Sequence, residues 1–398
     1  MSEPLALIAA WARAPVAPLG GALAQLEPHQ LATPVVHALL ARAGLDANAV
    51  DALVLGNALG AGGNPARMLA LASGLHTRCA AMTVDTQCCS GLDAVGVAVG
   101  LIASGQAQVV IAGGAEAWSR APLRLRRGAT PKARAQAYER PPFAPDPARD
   151  PDLLQAAYDY AVRHGVLRSA QDDYAVQSHA RAQAHQLAMA DEIVPVAGLA
   201  YDTYPRVISA ARAARMPLAP VSAGGGDTPR NKAAALDASQ DCAPSVLAVS
   251  ARADGAALLL LCSAHAAQTR GLRPRMAWVA QASVGYDSTQ PMLAAQHAAL
   301  RVLQQQHLDC AQALFAIELH DAFAVQGLAF CHALQLAPER LNRRGGGLAR
   351  GHPIGASGAI ALVRVLADLE RDAAPGALGL AAVAAAGGLG SAALLRRL

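Results

Sequence analysis

Thr86-Gln87-Cys88-Cys89-Ser90-Gly91-Leu92 lies between an apolar, strand-like run and the stretch Leu92 to Ser104 (LDAVGVAVGLIAS). That stretch is small, apolar and uncharged after Asp93, so it reads as a helix buried on most sides. A strand, a turn and a buried helix in that order point to an α/β fold. The two cysteines fall at the first turn of the helix. Unpaired backbone N–H groups and the positive end of the helix dipole favour a thiolate there. Adjacent cysteines in apolar surroundings are more often inert core residues, so the turn alone does not assign them a role.

The far end of the chain changes that balance. Gly351-His352-Pro353-Ile354-Gly355-Ala356-Ser357-Gly358-Ala359 opens a second helix of the same kind. Upstream, Leu314 to Leu319 reads as a buried strand that ends in His320-Asp321-Ala322-Phe323-Ala324. One cysteine and two histidines at strand ends and helix starts suit nucleophilic acyl chemistry. The layout is also duplicated. Asp51 to Asn57 is a strand ending in a polar amide, with Cys88 downstream, as His352 lies downstream of His320. Asn57 to His320 is 263 residues and Cys88 to His352 is 264. Each helix leads into an apolar strand ending in glycines, Val109 to Gly114 and Leu380 to Gly388. Two equivalent α/β halves with facing helix starts would bring Cys88 and His352 together. Strands alternating with helices favour a predominantly parallel or mixed sheet.

These motifs resemble those of the thiolases. Cys88-Cys89-Ser90-Gly91-Leu92 is similar to the family's Cys-x-Ser-Gly-Leu. His320-Asp321-Ala322-Phe323 is similar to its Asn/His-Glu/Asp-x-Phe, and Gly351-His352-Pro353 to its Gly-His-Pro. Ala112-Gly113-Gly114-Ala115-Glu116, Asp191-Glu192-Ile193-Val194-Pro195 and Asp254-Gly255-Ala256-Ala257 add support, and the likeness spans nearly the whole chain. The resemblance implies two duplicated βαβαβαββ halves stacked as an α/β/α/β/α sandwich with an inserted loop domain. The implied division is 1–118, completed by about 245–270, then a loop domain over 119–249 and a second half over 271–398. It also implies Cys88 as nucleophile, Cys89 at a variable position, His352 as proton acceptor and His320 beside it. The oxyanion would be held by the amides of Cys88 and Ala386 at one step, and by His320 and His352 at the other. Ser250 and Phe323 match residues near the pantetheine of coenzyme A. The implied substrates are coenzyme A thioesters in fatty-acid or ketone metabolism, with no bound cofactor or metal, and the implied assembly is a dimer or a dimer of dimers.

The departures from the pattern are as informative. Aligning the family's last glycines on Gly387-Gly388-Leu389-Gly390 puts Ala384 where a second cysteine normally serves as acid and base. Ala386 takes the place of that motif's first glycine. Some relatives carry the cysteine inside the His-Asp-Cys-Phe motif, where this chain has Ala322; Cys331 is expected on a helix away from the site. A thioester α-proton is weakly acidic, so its removal needs a placed base. Cys88, His320 and His352 without that base resemble the decarboxylating ketoacyl synthases. The coenzyme A region is altered as well: Leu153 to Tyr158 and Ala248 to Ala253 depart from the family pattern, and only Ser250 is kept.

Bulk properties fit a two-halved enzyme of 398 residues. The chain is 53% hydrophobic but only 4% aromatic, so small aliphatic side chains must pack its core closely. No apolar run reaches the roughly 20 residues that span a bilayer. The first residues read as a strand, not a signal peptide. Seven cysteines without regular spacing argue for a reducing, cytoplasmic setting, and none has zinc-site spacing. A net charge of +4 does not call for nucleic acid. Arg120, Arg124, Arg126, Arg127, Lys132 and Arg134 form a basic run without an acid, either a solvated loop or a surface for phosphates, an acidic carrier or a neighbouring subunit. Between the halves, Pro151 to His164 and Ser169 to Ala190 read as helical, the second capped by Ser169. Val221 to Asp227 (VSAGGGD) reads as an exposed, flexible piece. Three readings stand: a thiolase-like acyltransferase with weak or specialised thiolysis and condensation, a decarboxylating or carrier-dependent ketoacyl synthase, and a non-catalytic subunit of an acyltransferase complex.

Overall fold

A computed structural model describes residues 4–60, 62–130, 132–220, 241–308 and 310–398; the stretch Val221 to Asp227 lies outside them. The main strands are β1 (Ala6–Arg13), β2 (Ala52–Gly56), β3 (Ala80–Val84), β4 (Val109–Ala117), β5 (Ala253–Cys262), β6 (Met276–Gly285), β7 (Ala316–His320), β8 (Leu378–Ala385) and β9 (Leu389–Arg397). They pair in the order β7-β8-β9-β6-β1-β5-β4-β2-β3. In the first half β3, β2 and β4 run parallel, and β5 runs antiparallel to β4 and β1. The second half repeats this: β7 and β8 are parallel, and β9 is antiparallel to β8 and β6. The halves join where β1 pairs with β6, Leu7 opposite Ala277.

The main helices are α1 (Pro28–Ala43), α2 (Pro65–Ala72), α3 (Ser90–Ala103), α4 (Leu153–His164), α5 (Arg168–Ala184), α6 (Ala294–Gln305), α7 (Ala324–Ala333) and α8 (Ser357–Asp372). Strand β5 explains the layering. Its LLLLC run is buried throughout, and successive side chains of a strand point to opposite faces. Leu258 and Leu260 join Leu31, Val35 and Leu39 of α1 in an outer core. Leu259 and Leu261 face inward, to a core shared with α3, α8 and the inner faces of β8 and β9. On the far side, α6 and α7 cover Ile317, Leu319, Leu380 and Leu394. The result is five layers, helix/sheet/helix/sheet/helix, with α3 and α8 in the middle.

No described residue of 119–249 adds a strand to the main sheet. Ala157 and Ala161 of α4 pack on Val325 and Ala329 of α7, and Tyr174 of α5 is buried beside the second half. Helix α5 begins at Arg168, so Ser169 sits inside its first turn and Leu167 occupies the cap without a side-chain bond. Fully buried Arg13 of β1 donates to Glu192 and Asp202, each at 2.7 Å, and Glu192 also pairs with Arg364 of α8. The Asp191-Glu192-Ile193-Val194-Pro195 motif is thereby tied to both halves. Among the described residues, no helix is long and apolar enough to cross a membrane.

Candidate active site

Cys88 lies in the single 3-10 turn Gln87–Cys89 immediately before α3. Gln87 adopts φ +56°, a left-handed conformation that non-glycine residues rarely take. The turn is braced around it: Thr86 N donates to Ser90 Oγ (2.9 Å), and Ser90 Oγ donates to the Gln87 carbonyl (2.5 Å). In the second half the matching turn is Ile354–Ala356, before α8. By position in the elements, Gly355 therefore matches Cys88, and Asp321 matches Asn57. This corrects the register expected from sequence offsets, because His352 lies just ahead of its turn instead of inside it. The expected meeting of the side chains nevertheless occurs, with Cys88 Sγ 3.1 Å from His352 Nε2.

The hydrogen-bond network assigns the imidazole tautomer. Ser357 Oγ donates to the Pro353 carbonyl (3.1 Å) and lies 2.8 Å from His352 Nδ1. With its proton committed, the hydroxyl accepts from Nδ1–H, which leaves the Nε2 lone pair facing the thiol. Burial lowers the His352 pKa to about 4 and raises that of Cys88 to about 12. Backbone N–H groups of Cys88 and Ala386 reach the sulfur and oppose the rise. The helix-start thiolate expected from sequence is thus overruled, since desolvation outweighs the amides. At neutral pH the pair rests as thiol and imidazole.

His320 ends β7 and stacks on His352 with ring centres 4.3 Å apart. Its Nε2 is buried and has no partner among the described residues. Burial, reinforced by the fields of His352 and Arg350, holds its pKa well below that of an ordinary histidine. Asp321 next to it accepts from Tyr174 Oη (2.9 Å) and from Gly347 N (2.5 Å). The loop region is in this way connected to the strand end and to the turn leading into His352.

The remaining expected residues are placed as follows. Ala384 is half-buried near the end of β8, and Ala386 follows with its N–H at the Cys88 sulfur. Ser250 is half-buried with its hydroxyl donated to the Gly347 carbonyl (2.6 Å), and half-buried Phe323 packs against the cluster that holds Ala157, Ala161, Val325 and Ala329. Cys331 lies on α7, buried in the outer core of the second half. Cys89 is 1% exposed, packs in the central core and donates to the Val383 carbonyl. The basic run is partly used internally: Arg120 pairs with Glu27, Arg124 reaches the carbonyls of Ala58 and Leu59, and Arg126 covers Tyr138. Among the described residues no group of three His, Cys, Asp or Glu side chains is placed to hold a metal. Ser357 and Glu116 were given no role by the sequence reading, although a serine five residues after a helix-start histidine was a usable signal.

Iodoacetamide is expected to label Cys88 faster than Cys89. Exposed Cys310 serves as an internal reference thiol, and fragment-ion mapping of the shared peptide provides the readout. Labelling chiefly at Cys89 would overturn the assignment of the reactive thiol.

Residues 6–219 match the family model of the thiolase N-terminal domain, and residues 272–397 that of the thiolase C-terminal domain. The chain belongs to the thiolase family. It is 33% identical over 399 residues to a Staphylococcus aureus (strain MRSA252) protein provisionally named acetyl-CoA C-acetyltransferase VraB, covering 98% of this chain and 99% of the relative. A Bacillus subtilis (strain 168) protein provisionally named acetyl-CoA C-acetyltransferase YhfS is 34% identical over 377 residues, 94% of each chain. Among solved structures, the Acat5 thiolase of Ascaris suum in complex with coenzyme A superposes with TM-score 0.85 at 28% identity, covering 99% of this chain and 100% of that one. The acetyl-CoA acetyltransferase of Bacillus anthracis gives TM-score 0.86 at 28% identity over 99% and 98%. This thiolase thus shares its fold with both solved structures, each of which covers 99% of the chain.

Proposed function

We propose that this thiolase transfers acyl groups from coenzyme A thioesters through an acyl-Cys88 intermediate. The observation that carries the reading is the 3.1 Å contact between Cys88 Sγ and an acceptor nitrogen of His352. As the sulfur attacks the thioester carbonyl, its proton passes to His352 Nε2. The carbonyl oxygen takes up negative charge in front of the Cys88 and Ala386 N–H groups. Collapse breaks the bond to the coenzyme A sulfur, which leaves with the proton from His352. The acyl-cysteine then passes its acyl group to an acceptor by the same steps in reverse. Ser250 and Phe323 are assigned to the pantetheine side, and the loop region 119–249 to the cover over it. The edge strand β3, exposed or half-exposed along its length, suits pairing with a second copy of the chain.

Ala384 makes ordinary thiolysis and condensation weak in this reading, because it offers no group to exchange the α-proton. A second reading, a decarboxylating synthase, is favoured by His320, whose unpartnered Nε2 beside His352 could hold a developing enolate oxygen. The discriminating experiment incubates the protein with acetyl-CoA, longer acyl-CoAs and malonyl-CoA, then measures intact mass and released CO2. An acyl adduct that disappears in Cys88→Ser is the expected result. CO2 release from malonyl-CoA would move the assignment to the second reading. No adduct with any thioester would leave a non-catalytic subunit.

A further inference from the structure

Glu116 is fully buried at the end of β4, a strand paired on both sides, with β2 and with β5. Its Oε2 accepts from the amides of Ala58 (2.9 Å), Leu59 (3.3 Å) and Gly355 (3.0 Å). Its Oε1 accepts from Asn57 Nδ2 (2.7 Å). Asn57, Ala58 and Leu59 belong to the loop after β2 in the first half. Gly355 is the centre of the turn that joins His352 to Ser357 in the second. One carboxylate on a rigid strand therefore holds backbone from both halves.

The other face of that turn is wedged just as closely. A Cβ on Gly114 would lie 2.0 Å from the Gly355 carbonyl oxygen, and one on Gly91 would lie 2.7 Å from it. A Cβ on Gly355 itself would come within 2.8 Å of both Asn57 Cα and Glu116 Oε2. Gly91 belongs to the helix start that carries Cys88. The nucleophile's turn, the histidine's turn and β4 therefore meet backbone against backbone, and Glu116 binds the N–H on the open side of the contact. The loop it holds is fixed in turn: Asn57 Oδ1 accepts from Gly60 N (3.1 Å), and Arg124 donates to the Ala58 and Leu59 carbonyls at 3.4 and 3.3 Å.

We propose that Glu116 is a positioning residue that sets the Cys88–His352 contact, by clamping the His352 turn at Gly355 to the loop Asn57–Leu59. This rests on the reading of Cys88 as nucleophile and His352 as its base. In its ionised form Glu116 is acceptor-only and matches four N–H donors; burial raises its pKa to about 7 against the pull of the Ala58, Gly355 and Leu59 amides. Glutamine would set an NH2 group against one or more of them, and aspartate is too short to span both sides. Displacing the His352 turn by about 1 Å suffices to cost on the order of a hundredfold in rate.

The test compares the parent with Glu116→Gln, Glu116→Asp and Asn57→Ala. Three quantities are read: the melting temperature, kcat and KM for acyl transfer from acetyl-CoA, and the iodoacetamide alkylation rate of Cys88 across pH. Glu116→Gln is expected to lower kcat and the neutral-pH alkylation rate by about 10- to 100-fold with KM unchanged. Its alkylation rate should rejoin the parent's at alkaline pH, where the thiolate forms without a base. Glu116→Asp should fall between the two. A lower melting temperature with parental kcat and parental pH profile would overturn the proposal. Should Glu116→Gln fail to fold, Asn57→Ala, which removes the donor to Oε1 together with the side-chain bonds to Gly60 N and the Ala115 carbonyl, must show the same pH signature at smaller amplitude; a parental profile there overturns the proposal equally. A parent that forms no acyl-Cys88 would instead sink the underlying reading, a result separable from the others.

Discussion

His352→Ala is expected to slow acylation of Cys88 by about two or more orders of magnitude, the usual scale for losing a general base. In the parent the imidazole is neutral and presents Nε2 to the thiol, so every attack can hand its proton across 3.1 Å. Without it the sulfur must ionise unaided, and burial has pushed that ionisation up to about 12. The parent's rate should fall on the acid side as Glu116, raised to about 7 by burial, and then His352, lowered to about 4, take up protons. The linkage has a definite sign. A histidine held below its unfolded value of about 6.5 leaves the unfolded chain binding more protons between those two values. Stability therefore falls as pH drops through that window, and His352→Ala should remove this contribution to the decline. His320→Asn should be milder, since amide nitrogen and oxygen can replace the ring in holding a water or a carbonyl. Quenched-flow measurement of acetyl-enzyme at several pH values checks both variants. Equal damage would mean that His320 acts directly on substrate, as in a synthase. Full activity in both would remove His352 from the mechanism.

The placing of Cys88 beside His352 and His320, and the duplicated α/β plan, were legible because each is carried by a short local pattern. Cys88-Cys89-Ser90-Gly91 forms the turn at one helix start, and Gly351-His352-Pro353 leads into the turn at the other. What was not legible depends on the halves meeting. Whether a helix-start cysteine is thiolate or thiol turns on how much water the opposite half excludes, and no local pattern reports that. The fate of Cys89 is of the same kind: it faces the Val383 carbonyl of β8, a strand from the other end of the chain. Ser357 orients His352 from the next turn of backbone, and Glu116 bonds to Gly355 across 239 positions. The offsets between halves misled because the second half places its histidine ahead of the turn that matches the cysteine's. Small residues at Gly91, Gly114 and Gly355 were visible as glycines, but the contacts that require them appear only once the layers are stacked.

Ala384→Cys is expected to raise hydrogen–deuterium exchange at the acetyl methyl of acetyl-CoA by about 10²–10⁴-fold, the range for a positioned acid–base group. Ala384 lies two residues before the amide that reaches the Cys88 sulfur, on a strand whose preceding carbonyl, Val383, already touches the cysteine turn. The family alignment assigns a thiol at this position to the α-carbon of a thioester whose carbonyl oxygen points at the Cys88 and Ala386 N–H groups, while the Ala384 methyl packs on the outer core of the second half. Such a thiol could take the α-proton while those groups hold the enolate oxygen, and neither task alters the fold. The position is half-buried. Ala386→Gly in the same chain would remove a methyl group next to the amide that lines the oxyanion position. Exchange is the sharper assay than acetoacetyl-CoA thiolysis, because it isolates proton removal from the carbon–carbon step. Rapid exchange in the parent would show that another group already serves as the base. If the double variant is acylated at Cys88 at the parental rate but exchanges no faster, then Ala384 is not the position where the base is missing.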